Sequence, residues 1–132
     1  MMTSSLFDIA GSAMRAQTLR LNVTASNLAN ANTDASSAEE AYKARQPVFA
    51  AMLQDSIGGV TALGVVETDR EAPMRYEPGH PLANDEGYVF GSNVDVVEEM
   101  TNMMSASRSY QTNVDLLNTA RQLMLATLKV GQ

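Results

Sequence analysis

Two stretches of the chain repeat their apolar residues every three or four positions, and the roughly sixty residues between them do not. In the first stretch Leu6, Phe7, Ala10, Ala13, Met14, Gln17, Leu21, Thr24, Ala25 and Leu28 share one arc of a helix. Asp8, Ser12, Arg15, Asn22, Ser26 and Asn30 occupy the opposite arc. The spacing predicts an amphipathic helix from about Ser5 to about Ala29, about 40 Å long. The second stretch, Val94 to Val130, contains no glycine or proline. Val96, Met100, Met103, Ser107, Tyr110, Val114, Leu117, Arg121, Met124 and Leu128 alternate steps of four and three, the spacing of a coiled-coil seam. Asp95 with Glu98 has the spacing of a capping box, and Gly131 suits a helix end. Leu116, Ala120 and Leu123 form a second apolar line, more than about 90° from the seam at 100° per residue. One partner helix cannot cover both lines, so this helix is expected to meet at least two neighbours, one of them from another chain.

The middle has a different grammar. Asn32 to Ala41 is small and polar and reads as a loop. In "YKARQPVFAAML" the proline, Pro47, argues against a central strand and for an extended segment with a short helical turn. Gly58 to Thr68 is rich in β-branched residues and reads as a strand. Met74 to Phe90 alternates strand-like pieces with turns at Pro78-Gly79 and Glu86-Gly87. With few large apolar residues, this region is expected to be a small β element leaning on the helices.

Charge divides the chain in the same way. Residues 1–32 carry a net +1, residues 33–93 a net −6 and residues 94–132 a net −1. Near-neutral ends can associate without electrostatic penalty, while an acidic middle favours water. The overall −6 leaves no basic patch for nucleic acid. No apolar run is long enough to span a bilayer, and no cleaved leader is expected, because no apolar run follows a charged start. Without cysteine there is no disulfide, thiolate metal site or cysteine nucleophile. His80, the one histidine, lies in the turn Pro78-Gly79-His80-Pro81 and lacks companions for a zinc site. Glu98 and Glu99 are expected at a helix N-terminus from the macrodipole alone. No nucleotide-binding or hydrolase fingerprint is present. No catalytic residue, metal or cofactor is expected.

The remaining puzzle is "LNVTASNLANANT", four asparagines where a helix is predicted. Asn22 and Asn30 fall on the polar arc. Asn27 sits at the edge of the apolar stripe, where it is expected to reach the backbone of a neighbouring subunit and fix helix register.

These stretches resemble a known family. "FDIAGSAMRAQTLRLNVTASNLANANT" is similar to the shared N-terminal signature of bacterial flagellar rod and hook proteins. The stretch from Met74 to Gln132, with Y-x-P-G-x-P-x-A, N-V-D-V, S-A-S-R-S-Y and "LKVGQ", is similar to the C-terminal half of a proximal-rod member of that axial family. The resemblance implies a structural subunit of the flagellar basal body, exported by the flagellar type III apparatus. It implies self- and co-assembly into the rod, the drive shaft that crosses the periplasm and carries torque from the rotor ring to the hook for motility. Implied partners are further copies of the chain, other rod proteins, the rotor (MS) ring with its adaptor protein, and the export apparatus.

Residues and resemblance together predict a mainly α fold, its long N- and C-terminal helices paired as an α-helical coiled coil, with a small β-hairpin-like or extended middle. The expected divisions are 1–32, 33–93 and 94–132. Leu6, Phe7, Met14, Leu21, Leu28, Met100, Met103, Tyr110, Val114, Leu117, Met124 and Leu128 are the expected helix-pairing seam. Asn27, Leu116, Ala120 and Leu123 are the expected intersubunit contacts. A small acidic type III secretion chaperone or adaptor is the rival class, to which size and acidity apply equally.

Overall fold

The computed structural model describes residues 2–54 and 57–131. The chain opens with helix α1 (Met2–Ala29) and closes with helix α2 (Val96–Val130). Between them lie five strands, β1 (Asp34–Ala35), β2 (Arg45–Gln54), β3 (Ile57–Glu67), β4 (Met74–Tyr76) and β5 (Tyr88–Gly91). They form two antiparallel sheets, a β2–β3 ribbon and a small sheet ordered β1–β5–β4.

This corrects the expected mainly α coiled coil. Strands take up 23% of the chain, and the middle is built from two sheets rather than one small hairpin. Pro47 is the residue that misleads. It pairs with Val65 inside β2, because a ribbon of two strands has only edges and therefore room for a residue without an N–H.

The helices run antiparallel. Arg20 Nη2 reaches Asn102 Oδ1 at 3.5 Å, and one hollow is lined by Gly11, Met14 and Thr18 together with Tyr110. Asp95 starts α2 by accepting from the Val97 and Glu98 N–H groups at 3.1 and 3.2 Å. The capping box is half used, since Glu98 turns away to bind Arg70 at 3.0 Å.

α1 packs against α2 and also against both strands of the ribbon, and it is the one element that touches both. Its buried residues are accordingly small, with Ala10, Ser12, Ala16 and Thr24 among them. The ribbon lies along it from Asn27, which binds Arg45, to Ser12, whose Oγ accepts from the Val60 N–H at 3.1 Å. Fifteen residues of helix rise about 22 Å, and the six from Arg45 to Ala51, which pairs with Val60, span about 20 Å of strand. Gly59 permits the close approach, since a Cβ there would stand 3.2 Å from Ser12 Oγ. The pairing shifts between Val48 and Phe49. Val48 is opposite Gly64 and Phe49 opposite Ala62, so Leu63 bulges out without a partner.

In the small sheet Val89 is fully buried. Gly87, at φ 87°, turns the chain into β5. A Cβ there would stand 2.9 Å from the Tyr76 ring, which meets the Tyr88 ring edge-on at a centroid distance of 5.2 Å.

Candidate assembly surfaces

The polar interior centres on two asparagines. Asn27, 0% exposed, donates through Nδ2 to the Arg45 carbonyl at 2.8 Å. Its Oδ1 accepts from the Arg45 N–H and from the Tyr42 hydroxyl, each at 2.9 Å. A side-chain amide carries the same donor and acceptor as a peptide group, so Asn27 meets Arg45 as a neighbouring strand would. Asn93, just before α2, does the same to another stretch. Its Oδ1 accepts from the Ala44 N–H at 2.5 Å, and its Nδ2 donates to the Arg70 and Thr68 carbonyls at 2.8 and 3.3 Å. The base of the ribbon is thereby tied to both helices. The expected intersubunit role of Asn27 is corrected: it does fix a backbone, but that of its own chain.

Most of the expected seam is partly covered: Leu6, Phe7, Met14, Leu21 and Leu28 on α1, and Met103, Tyr110, Val114, Leu117 and Met124 on α2. Met100 and Leu128 are exposed. The buried positions of α2 are Glu99, Ala106 and Ala120, so the covered stripe begins one residue before Met100, a rotation of about 100°. Leu128 lies past the partner helix. With Arg20 opposite Asn102, equal helical rise puts Met2 level with about residue 120. Of the expected intersubunit residues, Ala120 is buried within its own chain, while Leu116 and Leu123 are exposed.

Exposed apolar side chains include Val97, Met100 and Met104 on the first half of α2 and Met74 and Tyr76 on β4, and two further sets stand out. One is the ribbon, where Leu53 near the tip and Leu63 at the bulge are 81% and 68% exposed, and Val65 and Val66 are exposed nearer its base. The other is the end of α2, where Leu123 and Leu128 are 64% and 62% exposed and Leu125 joins them. The ribbon patch was missed in the sequence because its residues are the β-branched and aliphatic ones that any buried strand would carry.

The turn motif closes onto the start of the small sheet. His80 Nδ1 accepts from the Leu82 N–H at 3.0 Å, and Nε2 lies 3.3 Å from Asp34 Oδ2. Arg75 holds the other Asp34 oxygen at 3.0 Å. Pro78, Gly79 and Pro81 are exposed around it. Among the described residues no three His, Cys, Asp or Glu side chains are grouped to hold a metal, and no helix is long and apolar enough to cross a membrane.

Residues 7–34 match the family described as flagella basal body rod protein. Residues 85–130 match the flagellar basal body rod FlgEFG protein C-terminal family. The whole chain aligns with flagellar basal-body rod protein FlgC of Salmonella typhimurium, at 52% identity over 97% of each chain. The FlgC proteins of Escherichia coli O157:H7 and Yersinia enterocolitica align over the same shares at 52% and 48%. The chain belongs to the FlgC family of flagellar basal-body rod proteins. The two matched segments of this rod family fall on α1 with the turn after it, and on β5 with α2. The ribbon lies between them.

Proposed function

We propose that this chain is a structural subunit of the flagellar basal-body rod that assembles through apolar surfaces it cannot cover alone. The observation that carries this reading is the pair of exposed apolar patches, Leu53 and Leu63 on the ribbon and Leu123, Leu125 and Leu128 at the end of α2. Contiguous exposed apolar surface marks a protein contact. Two unlike patches at separate places suit contacts that extend rather than close. In the rod the subunit lies at the proximal end, meets further copies of itself and other rod proteins, and passes torque from the rotor ring toward the hook. The rotor (MS) ring with its adaptor and the type III export apparatus are its further partners. Nothing in the relatives favours a secretion chaperone.

The test is complementation with Leu123→Asp in cells lacking the native subunit. An exposed substitution costs the fold about 0.5 kcal/mol or less, so the purified subunit should keep its helical circular dichroism. Cells should be non-motile, and isolated basal bodies should lack a completed rod. Normal swimming with complete rods would remove the α2 end from the assembly surface.

A further inference from the structure

The ribbon and α2 both lie on α1 but do not pack on each other, and a cleft of about 410 Å³ is left between them. Glu99 lines this cleft and is 4% exposed. Its carboxylate makes no hydrogen bond or ion pair among the described residues. Gln17 lines it too, with its Oε1 buried and without a donor. Two nearby charged groups are engaged elsewhere, and the third, Arg45, is exposed on the cleft with only its backbone bonded among the described residues. Glu98 holds Arg70, and Arg20 turns to Asn102. Among the described residues Glu99 thus lacks a protein partner and meets only the solvent that enters the cleft, while Gln17 Oε1 lacks both, and a buried acceptor without a donor is costly. Two acceptors on one polar cleft call for a group that brings several donors in fixed geometry, which describes a guanidinium.

We propose that the cleft is the socket for Arg121 of a second copy of this chain. Arg121 is exposed and makes no ion pair among the described residues. It lies about 28 Å along α2 from Asn102, so it cannot enter the cleft of its own chain. It shares a helix face with Leu125 and Leu128, four and seven positions on, so a copy that delivers Arg121 also covers exposed apolar surface. It stands past the start of α1, whereas Arg108, also exposed, lies level with the middle of α1. Cleft and arginine sit at opposite ends of the helix pair, which makes the contact head-to-tail and leaves one socket and one arginine free for the next copies.

The inference rests on the rod reading, and the test separates the two. The chain has no cysteine, so single cysteines report without background. Chains carrying Gln17→Cys and Arg121→Cys are co-expressed in cells lacking the native subunit, and basal bodies are isolated and oxidised. A disulfide-linked species at twice the 14.2 kDa chain mass is expected, and none when Arg108→Cys replaces Arg121→Cys. In uncrosslinked cells Arg121→Glu should lower the yield of rod-bearing basal bodies at least tenfold, and Arg121→Lys should restore part of it. Basal bodies that contain both cysteine chains but no linked species would overturn the socket and leave the rod reading standing. Normal rods from Arg121→Glu, with rods lost in Arg20→Gln, would instead assign Glu99 to the chain's own Arg20. Absence of the unsubstituted chain from basal bodies would overturn both.

Discussion

The two sheets of the middle region treat their exposed surfaces in opposite ways. The small β1–β5–β4 sheet is fixed within the chain by polar contacts, although Met74 and Tyr76 of its edge strand β4 are exposed. Val89 is buried, Arg75 and His80 close on Asp34, and Asn84 Oδ1 accepts from the Glu86 and Tyr88 N–H groups. The β2–β3 ribbon is finished only at its base, where Asn27 and Asn93 take up the backbone. Further out it presents Leu63 and Leu53 to solvent, and Val65 and Val66 are exposed even beside the base. Hydrogen bonds thus hold what must stay fixed in one subunit, and apolar area is kept for what other subunits supply.

That contrast can be broken from its strongest point downward, in the stability of the purified subunit. Asn93→Ala should cost most, about 3 kcal/mol or more, because three backbone groups lose a partner at about 1–3 kcal/mol each. A urea titration that moves by less than about 1 kcal/mol would show that water replaces the amide. Asn27→Leu should cost about 2 kcal/mol or more, since leucine leaves the Arg45 N–H and carbonyl without partners. Its thermal midpoint should fall below that of Asn30→Leu, whose amide bonds only the Ser26 carbonyl. Gly87→Ala should cost about 1–3 kcal/mol from the positive φ and the approach to Tyr76, read in the same titration. Leu53→Asp should cost least, within about 0.5 kcal/mol, yet prevent rod completion. A large loss of stability there would mean that the ribbon tip is packed within its own chain and that the contrast is false.

Both helices were legible in the sequence, because a period of 3.6 maintained over 28 and 35 residues has few alternatives. β3 was legible from its β-branched residues, while β2 was hidden by Pro47. The asparagines were harder to place. Asn27 stood at the edge of a stripe, and whether such a side chain meets its own chain or a neighbour depends on what lies opposite. Its partner is the backbone of Arg45, a group that every residue offers and no side chain announces. Asn93 carried no signal for the same reason. Glu99 read as an ordinary acid of a first helical turn, which it also is, and only the fold shows that it lies in a cleft.

The asparagine at Arg45 has one more consequence. A strand alternates its side chains between two faces, so a slip of one residue would exchange them all. Asn27 holds the first residue of β2 through both its N–H and its carbonyl, and the next residue cannot take that place without turning the strand over. A side chain with no exposed surface therefore decides which row of the ribbon lies against α1 and which is left to a neighbour. An error at this buried amide would be felt first by the neighbouring subunit, which would find the wrong face waiting for it.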